Sequence, residues 1–301
     1  MTALKLGTRK SLMATTQSRL VADALTQRTG HAVELVGVTT EGDVSKALLA
    51  QMGGTGVFVS ALRDRLLSGE VDFAVHSLKD LPTGPAEGIA LAATPLRDDP
   101  RDALCGPAKL ADLRRGARVG TGSPRRVAQL KALRPDLDVV PIRGNADTRL
   151  GKVSGGELDA VVLAYAGLTR IGRVDEIAEV FDPDQMLPAP GQGALALECR
   201  ADRTDLVELL GTVDDQATRA AVTAERMVLA VLEAGCSAPV GAYAAEIDQK
   251  LHLTAAVVGF DGSRQIRLSA SGHPDEAERI GRGLATELLD RGADQLMGER
   301  E

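Results

Sequence analysis

A seven-residue motif that occurs twice constrains the fold of this chain more than any other feature. Gly-Glu-Val-Asp-Phe-Ala-Val at 69–75 is matched by Gly-Glu-Leu-Asp-Ala-Val-Val at 156–162. A second pair, Leu6–Thr8 and Val119–Thr121, stands upstream of them in the same order. Such a motif can simply mark a common turn into a buried strand. The shared order favours instead two similar α/β lobes, each with a mixed or parallel sheet, and a ligand in the cleft between them.

The stretches around the two repeats alternate between strand-like and helix-like patterns. Apolar and β-branched runs predict strands at Lys5–Gly7, Val33–Val38 and Val139–Ile142, and a 3.6-residue period predicts a helix over Ser11–Gln27. The Gly-rich segment 42–56 is typical either of a surface loop or of a mobile lid.

The last third of the chain has a different pattern, which predicts a small α+β domain. A long helix is expected over Asp214–Ala234, with Gly235 as its stop. Two antiparallel strands and an amphipathic helix are expected at Leu251–Val258, Gln265–Ser269 and Pro274–Arg291. The expected boundaries are 1–94 with 195–212 for the first lobe, 95–194 for the second lobe, and 213–301 for the C-terminal domain.

The chain is acidic overall but basic in its middle. Its net charge is −7, from 35 Lys and Arg against 42 Asp and Glu, whereas 97–173 carries 15 basic residues against 9 acidic ones. This indicates an anion site. Nucleic acid fits poorly, because single-strand binders stack bases on aromatic side chains and Tyr165 is the one aromatic residue of that stretch. A small polycarboxylate or phosphate fits better, since 27 of the basic residues are Arg, which grips such groups bidentately.

The cysteines and the hydropathy pattern indicate a reducing, cytosolic setting. Cys105, Cys199 and Cys236 form no Cys-x-x-Cys pair, are odd in number and make no metal-site spacing with the four histidines. The start of the chain shows no signal-peptide pattern, and no apolar run approaches the roughly 18–20 residues that span a bilayer. We therefore expect no metal and no membrane partner.

Two clusters in the first half combine residues that suit an anion. Thr8–Ser11 stands at a strand-to-helix junction, where Arg, Ser and free helix N–H groups can bind an anion; an ordinary N-cap beside solvated basic residues explains it equally well. His76–Asp80 follows a buried strand, which is where open α/β sheets bind ligands, but a structural role is as plausible.

Three further clusters lie in the middle and the last third. Gly120–Arg126 combines glycines, hydroxyl groups and two arginines at a helix start, as an oxyanion cradle does. Ile142–Asn145 and Thr148–Leu150 add two more arginines. Cys236 follows the predicted long helix, where the negative end of the helix dipole does not favour a thiolate, so by itself it is typical of a small buried residue.

Taken together and in order, these motifs resemble the porphobilinogen deaminase (hydroxymethylbilane synthase) family. The resemblance spans residues 8–241. It rests on Thr8–Ser11, Thr40–Asp43, Gly53–Phe58, His76–Pro82, Asp99–Asp102, Gly120–Arg126, Arg143–Asn145, Thr148–Leu150, Leu187–Ala189, Gly191–Gly193 and Glu233–Cys236.

The resemblance implies a fold and an activity. Members of this family condense four porphobilinogen molecules head to tail into hydroxymethylbilane, release ammonia, and prime the reaction on a dipyrromethane cofactor held by a thioether to a cysteine. The match places that cysteine at Cys236. The resemblance further implies two lobes like those of periplasmic binding proteins, and a cytoplasmic monomer without a nucleic-acid partner.

The resemblance also implies roles for individual residues. Asp80 is the expected catalytic residue, because a carboxylate near the pyrrole N–H can stabilise the cation left when ammonia departs and can move protons. The residues expected to bind the cofactor together with Cys236 are Ser77, Lys79, Thr121, Ser123, Arg125 and Arg126. The residues expected to bind substrate and the growing chain are Arg9, Ser11, Arg143, Arg149 and Arg170.

Two rival functions stay open at this point. A two-lobed protein that binds a small polycarboxylate without catalysis would share the lobe repeat. A thiol-nucleophile enzyme would use Cys236 directly.

Overall fold

The structure is a computed structural model that describes residues 3–38, 56–235 and 238–298. Cys236 and the predicted lid, apart from Gly56, lie outside the described residues. The chain divides into two compact units, unit 1 (1–97 with 194–219) and unit 2 (98–193 with 220–301). The three sets of domain boundaries expected from the sequence stay a prediction.

Strands and helices are numbered in chain order. The strands are β1 Leu4–Arg9, β2 Val33–Val38, β3 Phe73–Ser77, β4 Ile89–Ala93, β5 Asp102–Cys105, β6 Arg118–Gly120, β7 Asp138–Val140, β8 Ala160–Ala164, β9 Ile177–Val180, β10 Leu195–Arg200, β11 Val240–Ile247, β12 Lys250–Val258 and β13 Gln265–Gly272. The α-helices are α1 Leu12–Thr29, α2 Gly56–Leu67, α3 Pro124–Leu133, α4 Ala146–Ser154, α5 Tyr165–Arg170, α6 Thr204–Gly211, α7 Gln216–Val231, α8 Ala277–Asp290 and α9 Ala293–Leu296.

The two five-stranded sheets have the same topology. The sheet of unit 1 has the order β2-β1-β3-β10-β4, and one sheet of unit 2 has the order β7-β6-β8-β5-β9. In each sheet the first three strands are parallel and the fourth runs antiparallel to both of its neighbours. The repeated motifs occupy equivalent strands, β1 and β6 for the shorter one and β3 and β8 for the longer one. The expected pair of similar α/β lobes is therefore confirmed.

The aspartate of the repeated motif explains why the motif occurs twice. Asp72 Oδ2 accepts a hydrogen bond from the Lys5 N–H at 2.8 Å, and Asp159 Oδ2 accepts one from the Arg118 N–H at 2.7 Å. In both lobes the carboxylate accepts a hydrogen bond from a backbone N–H near the start of the neighbouring parallel strand, β1 or β6. The preceding glycines, Gly69 (φ 74°) and Gly156 (φ 75°), make the same left-handed turn, which costs Gly little.

A smaller antiparallel sheet follows, also in unit 2, with the order β11-β12-β13. Helix α8 packs on it through Ala277, Ile280, Leu284 and Leu288, each at most 6% exposed. These are the residues whose spacing predicted an amphipathic helix. The expected small C-terminal α+β domain is confirmed.

The end of the long helix differs from the expectation. Helix α7 ends at Val231, and its stop is Glu233 (φ 48°), not Gly235. The Ala234 N–H donates to Leu229 O and the Glu233 N–H donates to Ala230 O, which is the Schellman pattern with Glu233 as its left-handed residue. A glutamate therefore carries the backbone conformation that the sequence assigned to glycine, three residues before Cys236.

Candidate active site

The parallel pairing of β1 with β3 brings the first two clusters together in unit 1. Carboxyl ends of neighbouring parallel strands meet at one edge of the sheet. Arg9 ends β1, and Ser11 caps α1 by accepting a hydrogen bond from the Ala14 N–H at 3.3 Å. Ser77 ends β3, and Asp80 follows in a one-turn 3₁₀ helix, Leu78–Asp80.

These residues line one cavity of about 240 Å³. Its lining residues are Arg9, Ser11, Met13, Ala14, Gln17, Val59, Leu62, Val75, His76, Ser77 and Asp80. The cavity therefore has an apolar wall, one guanidinium and one carboxylate. The structure places four of the predicted site residues here, namely Arg9, Ser11, Ser77 and Asp80. Lys79 lies in the same turn as Asp80 but does not line this cavity.

Sequence reasoning missed Gln17. It is 5% exposed on the buried face of α1, its Nε2 donates to Ser77 Oγ at 3.0 Å, and it lines the cavity. The available signal was a pair of polar residues, Gln17 and Ser18, on the face of α1 that packs on the sheet. Buried polar groups need partners, so such a pair points to a polar wall.

A buried charged group lies behind His76. Glu198 on β10 is 3% exposed and sits diagonally across from His76, whose register partner is Ala196. His76 Nε2 lies 3.3 Å from Glu198 Oε2, and Arg63 grips the carboxylate with Nε at 3.0 Å and Nη2 at 2.6 Å. Burial by itself raises the pKa of Glu198, but His76 and Arg63 together lower that pKa to about 2. Glu198 is therefore ionised, and it contacts His76, which lines the cavity.

The third cluster occupies the equivalent place in unit 2, after β6. Ser123 precedes α3, and its N–H donates to the Oγ1 of the fully buried Thr121 at 3.2 Å. Arg125 and Arg126 follow in the first turn of α3 and are 3% and 5% exposed. Both pair with Asp102, which is fully buried at the start of β5: Arg125 Nη1 lies 2.7 Å from Oδ2, and Arg126 Nη2 lies 2.7 Å from Oδ1. Burial alone raises the pKa of Asp102, but the two guanidiniums hold it well below its ordinary value.

The remaining predicted arginines have different surroundings. Arg143 is exposed, whereas Arg149 is half-buried and donates from Nε to Gly144 O at 2.8 Å. Burial, and next the charge of Arg126, lower the pKa of Arg149. Arg170 donates to Asp98 Oδ2 at 2.7 Å and to Gly193 O at 2.6 Å. Its two acceptors are the first and the last residue of the 98–193 segment of unit 2.

Comparisons with known proteins agree with the motif series. A family model described as the dipyrromethane cofactor binding domain of porphobilinogen deaminase matches residues 4–208, and one described as the C-terminal domain of porphobilinogen deaminase matches 219–290. A porphobilinogen deaminase of Thermobifida fusca is 63% identical, over 99% of this chain and 97% of its own length. One of Streptomyces coelicolor is 56% identical, over 99% of this chain and 98% of its own length.

The chain belongs to the porphobilinogen deaminase family. Membership confirms the expected resemblance, the enzyme class, its place in tetrapyrrole biosynthesis and a dipyrromethane-binding domain. The family's substrate and product are small molecules. One similar solved structure is a periplasmic substrate-binding protein of an ABC transporter from Coxiella burnetii, with 13% identity, coverage of 70% of this chain and 91% of that one, and a TM-score of 0.45. Another is the periplasmic VFT2 domain of BvgS from Bordetella pertussis, with 20% identity, coverage of 70% of this chain and 86% of that one, and a TM-score of 0.43.

Within the described ranges, no helix is both long and apolar enough to cross a bilayer. The same ranges contain no group of three or more His, Cys, Asp or Glu residues placed to hold a metal ion.

Proposed function

We propose that this chain is a porphobilinogen deaminase that condenses four porphobilinogen molecules head to tail into hydroxymethylbilane and releases ammonia. One observation carries the proposal: the cavity of unit 1 puts the Asp80 carboxylate in the same small space as Arg9 and an apolar wall. A pyrrole that bears acidic side chains needs these three features, an acceptor for its N–H, a cation for its carboxylates and an apolar surface for its ring.

Asp80 has the central role in the proposed reaction. When the C–N bond of the protonated aminomethyl group breaks, its electron pair leaves with neutral ammonia, and the substrate ring becomes a cationic methylene-pyrrolenine. A carboxylate oxygen beside the ring N–H stabilises that charge more strongly than it stabilises the neutral substrate. The same oxygen can accept the proton that a ring carbon must lose after the new C–C bond has formed.

The other cavity residues orient the substrate and exclude water. Arg9 binds its acidic side chains through a bidentate ion pair, and Ser11 adds a hydrogen bond. The apolar side chains of Val59, Leu62 and Val75 cover the ring face. Exclusion of water protects a cation that water would otherwise capture too early.

The chain's residues also fit the dipyrromethane cofactor, which supplies, when bound, the terminal pyrrole that the first substrate unit joins. Its acidic side chains require cations, and Arg125 Nε is buried with no hydrogen-bond partner among the described residues. We propose that Cys236 attaches the cofactor, with Ser77, Lys79, Thr121, Ser123, Arg125 and Arg126 as its polar contacts. Arg143, Arg149 and Arg170 are the proposed contacts of the growing chain.

The direct experiment combines a product assay with intact mass. Purified chain incubated with porphobilinogen is expected to release ammonia and form a linear tetrapyrrole, and its mass is expected to exceed that of the sequence by one dipyrromethane. Cys236→Ala should lose this mass increment. Cys105→Ala should keep it, because Cys105 is a buried thiol at the end of β5. Binding of porphobilinogen without turnover would indicate a non-catalytic binding protein instead.

The role of Asp80 is tested by Asp80→Asn. We expect turnover to fall at least ~10²-fold with an unchanged unfolding midpoint, the usual scale for an acid–base or charge-stabilising group. Asp112→Asn is the matched control, since Asp112 is likewise the last residue of a one-turn 3₁₀ helix and is exposed. Near-normal turnover of Asp80→Asn would remove Asp80 from the mechanism.

We also propose that the enzyme acts as a monomer in the cytoplasm without a nucleic-acid partner. Support comes from Cys105 and Cys199, which are both buried and unpaired, as is usual in a reducing compartment. Light scattering of the purified chain and cell fractionation test these two points.

A further inference from the structure

One charged group of the substrate, the aminomethyl group that leaves as ammonia, has no partner in the reaction proposed above. An alkylamine of this kind is an ammonium ion at neutral pH. Asp80 serves the ring N–H, and Arg9 serves the acidic side chains. An ammonium donates hydrogen bonds and accepts none, so the cavity of unit 1 needs one more acceptor to hold it.

Most polar side chains that line the cavity are engaged with the chain itself. Ser11 Oγ accepts a backbone N–H of α1. Gln17 and Ser77 are paired with each other, at 3.0 Å from Gln17 Nε2 to Ser77 Oγ and at 3.3 Å from Ser77 Oγ to Gln17 Oε1. Besides Asp80, the lining side chain that still has an acceptor to offer is the imidazole of His76.

The two ring nitrogens of His76 have different surroundings. Nε2 is buried and lies 3.3 Å from Glu198 Oε2, slightly farther than in an ideal hydrogen bond. Nδ1 makes no hydrogen bond with any residue that the structure describes. The side chain is only 5% exposed, and His76 lines the cavity. Because Nε2 is buried against Glu198, the part of the ring left to face the cavity is the part that carries Nδ1.

Glu198 decides which of the two nitrogens carries the hydrogen. It is ionised, since His76 and Arg63 lower its pKa to about 2. A carboxylate only accepts hydrogen bonds, so the nitrogen that faces it carries the hydrogen. Arg63 already balances the charge of this carboxylate, with Nη2 at 2.6 Å and Nε at 3.0 Å. One hydrogen on the imidazole is therefore enough, and Nδ1 keeps its lone pair.

The fold holds these side chains on one face of the sheet. Glu198 is the register partner of Ala74, and side chains alternate along β3, so His76 shares a face with Ala74. Helix α2 covers that face, because its Leu62 packs with Ala74 in one apolar cluster. Arg63 follows Leu62 on the same helix. The imidazole is thus fixed from behind by a carboxylate that has itself little freedom to move.

We infer that Nδ1 of His76 accepts a hydrogen bond from the ammonium of the substrate's aminomethyl group, and that Glu198 is the positioning residue that keeps Nδ1 free of hydrogen. The inference rests on the proposed function, because it takes the ligand to be porphobilinogen. It gives the cavity a subsite for the leaving group in addition to the Asp80 carboxylate and the Arg9 guanidinium.

Such a contact is compatible with the loss of ammonia. An imidazole is a weaker base than a primary amine, so the ammonium keeps its protons while it donates to Nδ1. When the C–N bond breaks, both of its electrons go to the leaving nitrogen and neutral ammonia departs, while the lone pair of the ring nitrogen forms the new exocyclic double bond. No proton moves to His76. Ammonia is a poorer donor than ammonium, so the contact is strongest in the bound substrate and acts mainly on KM.

Two substitutions of His76 separate its two contacts. In His76→Gln the amide nitrogen can take the place of Nε2 beside Glu198, but no acceptor remains at the place of Nδ1. We expect KM for porphobilinogen to rise roughly tenfold or more, with a smaller change in kcat and an unchanged unfolding midpoint. In His76→Asn the amide oxygen takes the place of Nδ1 but the side chain is too short for Glu198. This variant should have a lower unfolding midpoint and a KM closer to that of the wild type.

A substrate analogue separates binding of the ammonium from the shape of the cavity. The probe is the same pyrrole with hydrogen in place of the aminomethyl group, measured as a competitive inhibitor. Its Ki should be nearly unchanged in His76→Gln, because it has no ammonium to lose. Arg9→Lys should raise both this Ki and KM, since both molecules carry the acidic side chains. His252→Gln is the matched control, because His252 is exposed on β12, and it should change neither constant.

Two results would overturn the inference. A wild-type KM in His76→Gln would show that Nδ1 is not a substrate contact. An equal rise of KM and of the analogue's Ki would show that His76 only shapes the cavity. Should His76→Gln fail to fold, His76→Asn decides, because a tenfold rise of KM over Ki there would contradict an acceptor at the place of Nδ1. A wild-type chain that releases no ammonia from porphobilinogen would overturn the proposed function itself, which separates the two failures.

Discussion

The buried carboxylate of Glu198 gives a stability prediction that can be worked from the structure. Glu198→Gln removes the charge that Arg63 and His76 surround, at a site that is 3% exposed. The amide keeps the shape of the side chain, so cavity formation does not contribute. The perturbation therefore isolates the electrostatic contribution of this group to unit 1.

The magnitude follows from the pKa of Glu198. In the folded chain His76 and Arg63 outweigh burial and bring that pKa from 4.5 down to about 2. Each pKa unit is worth about 1.4 kcal/mol, so the ionised carboxylate contributes about 3 kcal/mol to the free energy of unfolding. Glu198→Gln should lower the free energy of unfolding by an amount of this order at pH 7, because Arg63 then keeps a largely buried charge without its partner.

The pH dependence has a definite sign. A carboxylate whose pKa is lower in the folded state stabilises the fold above its unfolded pKa, and this contribution is lost as pH falls toward the folded pKa. The difference between wild type and Glu198→Gln should therefore be full at neutral pH and shrink as pH falls from about 4.5 toward about 2. Urea unfolding followed by circular dichroism at several pH values measures it.

Glu70→Gln provides the matched control. Glu70 pairs with Arg65, which lies two residues from Arg63 on the same helix, but both side chains are about half exposed. Exposed ion pairs contribute little, so this variant should stay close to wild type at every pH. A gap between wild type and Glu198→Gln that stays constant through the acidic range, or one no larger than that of Glu70→Gln, would refute the reasoning.

Three further predictions concern packing, backbone conformation and thiol reactivity. Gly281→Ala should lower the free energy of unfolding by about 1–3 kcal/mol, because its Cβ would lie 2.3 Å from a carbonyl oxygen of α7. Gly283→Ala on the same helix meets open space and should be neutral or stabilising. Thermal unfolding of both variants measures the difference. Glu233→Gly should raise the free energy of unfolding by about 1 kcal/mol by relieving a left-handed residue (φ 48°), and a decrease in urea unfolding would contradict this. Cys105 and Cys199 should resist maleimide in the native chain and react in urea, because both are buried and burial raises the pKa of Cys105 to about 12; rapid native labelling of either would refute it.

The fold was largely predictable because its strongest signal is local and repeated. The motif at 69–75 and 156–162 marks the same turn into the same strand in both lobes, and its aspartate is used in the same way. Element bounds were less predictable, since they depend on contacts that a window of sequence does not contain. The end of α7 shows this, because Glu233 rather than the neighbouring Gly235 takes the left-handed conformation.

The candidate site was predictable to the extent that it lies at strand ends. Arg9, Ser11, Ser77 and Asp80 share one cavity because β1 and β3 are parallel neighbours. Glu198 could not be found in this way, because it enters from β10, more than a hundred residues along the chain, and only the antiparallel register places it diagonally across from His76. A charged residue between the apolar neighbours Leu197 and Cys199 was its one local signal.

The arginine pair shows most clearly what a sequence leaves open. Arg125 and Arg126 have the same chemistry and adjacent positions, so the motif assigns them one role. Successive residues of a helix point about 100° apart, however, and the two guanidiniums meet different backbone acceptors, Leu187 O for Arg125 and Val162 O for Arg126. Which edge stays free is decided by acceptors far away in the chain, Asp102 before the helix and Leu187 after it. The hydrogen-bond partners of each arginine therefore follow from the tertiary structure and not from the motif, which treats the two residues as one.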